Sequence, residues 1–378
     1  MQYRTFGRTD LNVSTLGFGL MRLPTNSEGE ILEAPSREMV QYAIDEGINY
    51  LDTAHGYVHG NSEPFTARLL NSGYRDQVYL ATKLPTWDVE TAADFERFLQ
   101  EQMERLQTDY LDIYMLHNLN SERWENLEKL GVTDFLDKAV ADGRIGATGF
   151  SFHDDLDTFK RIVDGYSWDM CLIQLNFMDQ HYQAGVPGLK YAAAKGLAVA
   201  VMEPLRGGKL AGRVPDEVQA LWEQADTARS AAEWAFRWVC NFPEVSVVLS
   251  GMNTMEQIKE NIAIVKDAYP NSLTEEELAL IDQVRDVYLS RMVVNCTSCD
   301  YCMPCPQGVN IPVILNQLNE ASMYENEDEV ADQYTNLYQN EKGANLCIAC
   351  GQCEAACPQS IAIIDALEEA HRRFLKND

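Results

Sequence analysis

The chain reads as an α/β protein: a (β/α)8 TIM barrel over residues 1–290, then a small, mainly helical domain over residues 291–378. Three observations lead there. Eight short apolar runs rich in Val, Ile, Leu and Tyr recur through the first part, each separated from the next by a segment with helical spacing. That rhythm indicates a parallel sheet, and eight strand-helix units over this length suit a closed barrel. Eight of the ten cysteines then gather in two tight runs near the end. A doubly wound open sheet is the alternative, but no G-x-G-x-x-G follows the first strand.

In order, the expected strands are 15–21, 48–53, 78–83, 111–117, 145–151, 170–176, 197–203 and 245–250. Helices are expected at 36–46, 91–106 and 154–163, with Gly47, Gly143, Gly165 and Gly196 placed to end helices before the next strand. Thr254 with Gln257, and Thr274 with Glu277, have capping-box spacing. Residues 274–290 read as a helix packed on the barrel and 291–295 as the connection to the cysteine-rich part. One helical stretch is expected over 311–339, with an acidic patch at Glu325 to Glu329, and a closing helix over 361–375.

Composition narrows the function. The net charge of −28, from 58 acidic and 30 basic residues, argues against a nucleic-acid or anionic-lipid surface, so any phosphate must be held locally. No stretch approaches the ~18 uninterrupted apolar residues of a membrane span. The first ten residues carry no apolar signal core. The expectation is a cytoplasmic protein.

Cys296, Cys299, Cys302 and Cys305 precede Pro306; Cys347, Cys350, Cys353 and Cys357 precede Pro358. The second run has the C-x2-C-x2-C-x3-C-P spacing of bacterial two-cluster ferredoxins, in which three thiolates of one run and the distant fourth of the other hold each cluster. The first run closes one residue early. Paired Cys-x2-Cys units also suit zinc, but a zinc site needs only four ligands. Four cysteines per run with Cys-Pro closure favour two [4Fe-4S] clusters in a ferredoxin-like domain, which a reducing compartment would also suit. Cys171 and Cys240 lie in apolar segments and read as core residues.

In a barrel, polar groups at the C-terminal strand ends carry the chemistry. Here they include Asp52 and Tyr57 after the second strand, Lys83 at the third and His117 at the fourth. Taken singly, Asp52 and Lys83 read as a structural ion pair, Tyr57 as a core aromatic and His117 as a hydrogen-bonded histidine. Jointly they resemble the Asp, Tyr, Lys and His tetrad of the aldo/keto reductases. Gly146 to Ser151, Gln174-Leu175-Asn176, Glu203-Pro204-Leu205 with Gly207 and Gly208, and Ser250 to Asn253 through Glu260-Asn261 extend the resemblance.

The resemblance implies an oxidoreductase that reduces an aldehyde or ketone with NADH or NADPH, or oxidises the alcohol. Hydride addition leaves negative charge on the carbonyl oxygen and calls for a proton donor. Tyr57 is the expected acid, with its pKa lowered by Lys83, which Asp52 would hold in place. His117 would orient the carbonyl or join the proton relay. His55 and His59 are rivals for that role, His153 and His181 are pocket candidates, and His371 is expected to be solvated. Trp87, Trp124 and Phe152 are candidates for an aromatic substrate pocket.

The strand-loop-helix segment 245–261 offers free backbone N–H groups to phosphate. Arg206, Gly207, Gly208 and Lys209 add flexible backbone and positive charge. The resemblance assigns Ser151 and Gln174 to the nicotinamide carboxamide, with Asn176 supplementing them because Phe152 replaces a frequent asparagine. Met202 stands where an aromatic residue often stacks on nicotinamide. Leu205, Ser250, Gly251, Met252 and Asn253 complete the cofactor set, with Gln257, Glu260 and Asn261 at the adenosine end. The loop from Gly251 to Gln257 holds no Lys or Arg and one acid, Glu256, which favours NADH over NADPH.

Nicotinamides move hydride whereas a four-iron cluster passes single electrons, so the clusters imply electron transfer to a redox partner protein, regulation or a structural role. The alternative reading is an iron-sulfur electron-transfer protein whose barrel binds a nucleotide, flavin or partner without carbonyl reduction. Substrate and oligomeric state are not encoded in any motif.

Overall fold

The computed structural model describes residues 1–212, 214–296 and 300–375. An N-terminal hairpin pairs β1 (Tyr3–Thr5) with β2 (Asn12–Ser14). Eight parallel strands then close a barrel: β3 (Leu16–Gly19), β4 (Tyr50–Asp52), β5 (Tyr79–Leu84), β6 (Leu111–Leu119), β7 (Ile145–Phe152), β8 (Met170–Gln174), β9 (Ala198–Met202) and β10 (Val245–Ser250). Closure occurs where Leu16, Gly17 and Phe18 pair with Val248, Leu249 and Ser250. All eight expected strands are present, with ends shifted by a few residues.

Alternate strand residues turn inward, so Ile113 and Met115, Met170 and Leu172, Ala198 and Ala200, and Val247 and Leu249 share one core with Phe6 and Val13. The hairpin thus contributes apolar side chains to the barrel interior. Gly7 makes this approach possible: its φ is 58°, and a Cβ there would fall 2.3 Å from the Ala198 nitrogen.

Helices follow the strands: α1 (Glu33–Asp45), α2 (Ser62–Leu70), α3 (Ala93–Leu106), α4 (Ser121–Lys129), α5 (Val132–Ala141), α6 (Leu156–Gly165), α7 (Gly185–Ala194), α8 (Asp216–Trp222), α9 (Ala231–Cys240) and α10 (Met255–Lys266). Gly165 does not stop a helix by turning left-handed. It is the last residue of α6, and a Cβ there would lie 2.8 Å from the Trp124 ring, so packing is its constraint.

The chain divides into two compact units, Met1–Gly207 with Ala232–Thr274, and Gly208–Ala231 with Glu275–Asp378. In the second, α8 packs on α11 (Glu275–Ser290), followed by α12 (Ile311–Tyr324), α13 (Glu327–Gln339), the short α14 (Gln352–Ala356) and α15 (Ile363–Phe374). Ile314, Leu318, Tyr334, Leu367 and Phe374 anchor its core. Residues 311–339 form two helices rather than one, because Glu325 turns left-handed at φ 53° and ends α12. The acidic patch then opens α13, where Glu327, Asp328 and Glu329 favour a helix N-terminus. The expected connection 291–295 is tied down: Asn319 Oδ1 accepts from the Val293 and Val294 N–H groups, and its Nδ2 donates to the Val294 carbonyl. Among the described residues, no helix is long and apolar enough to cross a membrane.

Candidate active site and cluster sites

The strand register brings the tetrad together. Asp52 ends β4 beside Ala81, Lys83 lies two residues further along β5, and the loop after β4 returns Tyr57 above them. Lys83 Nζ donates to Asp52 Oδ1 at 2.6 Å, to the Thr53 carbonyl at 2.8 Å and to the Tyr57 hydroxyl at 3.1 Å. The His117 ring stands edge-on to Tyr57, with centroids 5.9 Å apart. The Trp87 ring centroid lies 5.0 Å from that of His117.

Burial opposes the Lys83 charge, yet Asp52 and Tyr57 raise its pKa above the ordinary value and keep it protonated. For Tyr57 the expected lowering is reversed. Burial is the larger effect and raises the phenol above its usual value, although the Lys83 charge acts the other way. Burial likewise holds the His117 imidazole well below its usual range, helped by the charge of Lys83, by His153 and by Arg123. His117 is therefore a neutral hydrogen-bonding group at neutral pH, and its buried Nδ1 has no partner among the described residues.

The two rival histidines face elsewhere. His59 is exposed, and His55 is bonded through Nδ1 to Arg105 at 3.1 Å. Arg105, on α3, also donates to the carbonyls of His55 and Gly60, clamping the loop that carries Tyr57. That loop needs holding because Val58, His59 and Gly60 all have positive φ, 49°, 53° and 83°. Arg105 is itself fixed by the fully buried Glu63, 3.2 Å from its Nε, whose other oxygen accepts from Thr82 and Gln102 at 2.7 Å each. Neither Arg105 nor Glu63 was a sequence candidate, since their link spans two helices. Of the three aromatic pocket candidates, Trp124 and Phe152 are buried core residues, while Trp87 is 44% exposed.

Ser151 is buried and its Oγ accepts the Asn118 N–H at 2.7 Å. Gln174 donates to Asp179 at 2.8 Å. Asn176 is engaged at both ends of its amide, donating to Asp179 and the Glu203 carbonyl and accepting from the Met178 and Asp179 N–H groups. Its polar atoms thus serve the loop after β8. Met202, half-buried at the end of β9, packs on the barrel core. Leu205 is half-buried and Gly207 has φ 71°. Gly208 and Lys209 belong to the second unit, where Lys209 Nζ pairs with Glu320 at 2.6 Å.

After β10, Asn261 donates to Ser250 Oγ at 3.2 Å. Thr254 caps α10 by accepting the Gln257 N–H, and Gln257 Oε1 accepts the Asn253 N–H at 2.9 Å. Met252 is buried, and Glu260 is exposed on α10. Gly251 has a cationic neighbour that the loop sequence conceals: a Cβ there would meet the Arg22 side chain at 3.1 to 3.3 Å. The same guanidinium is 3.7 Å from Glu203 and 3.6 Å from where a Gly207 Cβ would stand. Arg22 follows β3 by three residues, so a search of the first strand end would have found it.

In the second unit the cysteines surround cavities. One, of about 190 Å³, is lined by Cys302, Cys305, Cys347, Cys350 and Cys353, with Tyr301 and Ile348 among its neighbours. Another is lined by Cys296, Cys302 and Cys357. Cys299 lies outside the described residues. Among those residues no three His, Cys, Asp or Glu side chains stand close enough to share one metal ion. Cys171 and Cys240 are buried core residues. His371, expected to be solvated, instead bonds the Tyr334 hydroxyl at 2.8 Å.

Comparison with known proteins agrees with this arrangement. The Aldo/keto reductase family pattern matches residues 15–286, well over half of the chain. The chain belongs to the aldo/keto reductase family. A 4Fe-4S dicluster domain matches residues 295–362, so the chain carries an iron-sulfur module after its aldo/keto reductase region. Relatives include an uncharacterised oxidoreductase of Bacillus subtilis, 25% identical over 76% of this chain and 98% of its own length. L-galactose dehydrogenase of Arabidopsis thaliana is 26% identical over 75% of this chain and 94% of its own. Among solved structures, the holo form of an aldo-keto reductase from Bacillus halodurans aligns with a TM-score of 0.64 and 27% identity, covering 75% of this chain and 96% of that one.

Proposed function

We propose that this oxidoreductase uses NADH or NADPH to reduce an aldehyde or ketone, or to oxidise the corresponding alcohol, in its barrel. The observation that carries the reading is Lys83 Nζ joined to both Asp52 and Tyr57, with the neutral His117 ring facing the same phenol. When bound, the reduced nicotinamide supplies a hydride. Tyr57 gives its hydroxyl proton to the carbonyl oxygen, Lys83 stabilises the phenolate that remains, and Asp52 fixes Lys83. His117 orients the carbonyl by a hydrogen bond. In the oxidative direction the Tyr57 phenolate takes the proton back.

Ser151 and Gln174 would hold the dinucleotide at the nicotinamide, with Met202 beside it, and the Gly251 loop with Arg22 would hold a phosphate. Gln257, Glu260 and Asn261 serve the adenosine end. The domain division at 290/291 falls between the two family matches, at 15–286 and 295–362, whereas the compact units divide earlier, between Thr274 and Glu275.

Two clusters would be held in a crossed manner, one by Cys296, Cys302 and Cys357 with Cys299 added from the sequence spacing alone, the other by Cys347, Cys350 and Cys353 with Cys305; Cys302 borders both cavities. When bound, a four-iron cluster supplies a one-electron site. Cys350 is exposed, and Tyr301 and Ile348 beside it are 70% and 62% exposed, which supports electron exchange with a redox partner protein. Thiolate-held clusters suit a reducing, cytoplasmic setting.

Anaerobically purified protein should oxidise NADH or NADPH in the presence of an aldehyde panel. Tyr57→Phe should lower kcat by roughly 10²- to 10⁴-fold while dinucleotide binding survives. Full activity in that variant contradicts the mechanism.

A further inference from the structure

A half-buried arginine stands beside the candidate catalytic histidine. Arg123, in the first turn of α4, has no Asp or Glu partner among the described residues. Its NH1 donates to the Asn118 carbonyl at 2.7 Å, and its guanidinium carbon lies 5.9 Å from the Trp87 ring centroid. Trp87 in turn lies 5.0 Å from His117, and His117 5.9 Å from Tyr57. Four side chains therefore form one continuous wall from the proton donor to an unpaired cation.

This is unusual in a chain with 58 acidic and 30 basic residues, where arginines such as Arg75, Arg105 and Arg144 all have carboxylate partners. The first turn of α4 does not need the charge. Asn120 accepts the Arg123 N–H, and Asp154 accepts the Ser121 N–H at 2.8 Å. The Asn118 carbonyl engages NH1 alone, so Nε and NH2 remain for a planar acceptor. An arginine fork matches a carboxylate in two parallel hydrogen bonds, and partial burial reduces the screening of its charge. The partly exposed Trp87 face beside it suits the apolar or aromatic body of the same molecule.

We propose that Arg123 recognises a carboxylate on the substrate, so that the preferred substrates are aldehydes or ketones bearing a carboxylate at the end remote from the carbonyl. The inference rests on the Tyr57-centred reading of the site. Matched pairs test it: 4-carboxybenzaldehyde against benzaldehyde, and succinic semialdehyde against butanal. The wild type is expected to favour the carboxylated member of at least one pair by roughly tenfold or more in kcat/KM. Arg123→Gln should collapse that ratio towards one, chiefly through KM, and Arg123→Lys should restore part of it.

A wild-type ratio near one in both pairs, or a ratio unchanged by Arg123→Gln, overturns the inference while leaving carbonyl reduction intact. If no aldehyde is reduced, the Tyr57-centred reading fails instead. Calorimetric binding of 4-carboxybenzyl alcohol, which needs no turnover, then decides the role of Arg123: binding weakened about tenfold by Arg123→Gln supports it, and equal binding overturns it.

Discussion

Lys83 is a fully buried ammonium whose side chain is 0% exposed, facing an Asp52 side chain that is 3% exposed. Removing one member of such a pair leaves an uncompensated buried charge. Lys83→Met should therefore destabilise the barrel by about 3–5 kcal/mol, read by urea denaturation, and the double variant with Asp52→Asn should recover much of the loss. Tyr57, raised above its usual pKa by burial, should stay protonated through neutrality, so kcat for reduction should be level up to about pH 10 and fall beyond it. His117 has the opposite sign. Its folded pKa lies below the unfolded value of about 6.5, so the unfolded chain binds more protons just below that pH. Stability should fall as pH drops from about 6.5 through the folded value, and His117→Gln should shrink the difference between pH 7.5 and pH 5 in urea denaturation.

The loop after β4 and helix α3 act as a pair. Three successive positive φ values leave the Tyr57 loop dependent on outside contacts, and Arg105 supplies them while Glu63 holds Arg105. Arg105→Ala should lower kcat by roughly 10- to 100-fold through misplacement of the phenol, with a far smaller change in dinucleotide KM. A matching circular dichroism spectrum would separate this from unfolding. Much of this level was legible in sequence, because strand ends announce themselves where short apolar runs stop at polar residues. Asp52, Tyr57, Lys83 and His117 could be found in that way. The Arg105 clamp could not, since α2, α3 and the loop meet only in the folded barrel. The break between α12 and α13 was equally hidden, because Glu325 is a residue whose left-handed φ no local pattern announces.

At the scale of the molecule, the order of strands and the placement of cysteines carried the architecture: a closed eight-stranded barrel and a dicluster module. What the pattern left open was which thiolates meet. Cys305 lines a cavity with Cys347, Cys350 and Cys353, Cys357 lines another with Cys296, and Cys302 borders both, which favours the crossed assignment proposed above. Cys305→Ser and Cys357→Ser should accordingly each disturb one cluster while sparing the other, lowering bound iron and acid-labile sulfide from about eight towards about four per chain. An equal loss of both clusters in either variant would count against the crossed assignment.

The central claim is that the barrel moves a hydride to a carbonyl under the control of Tyr57, whatever electrons the clusters carry. Anaerobic turnover of an aldehyde with NADH or NADPH carrying deuterium at both C4 positions, followed by mass spectrometry of the alcohol, addresses it directly. One deuterium on the carbinol carbon, delivered by the wild type and lost with Tyr57→Phe, is the predicted result; alcohol formed without that deuterium would contradict the account.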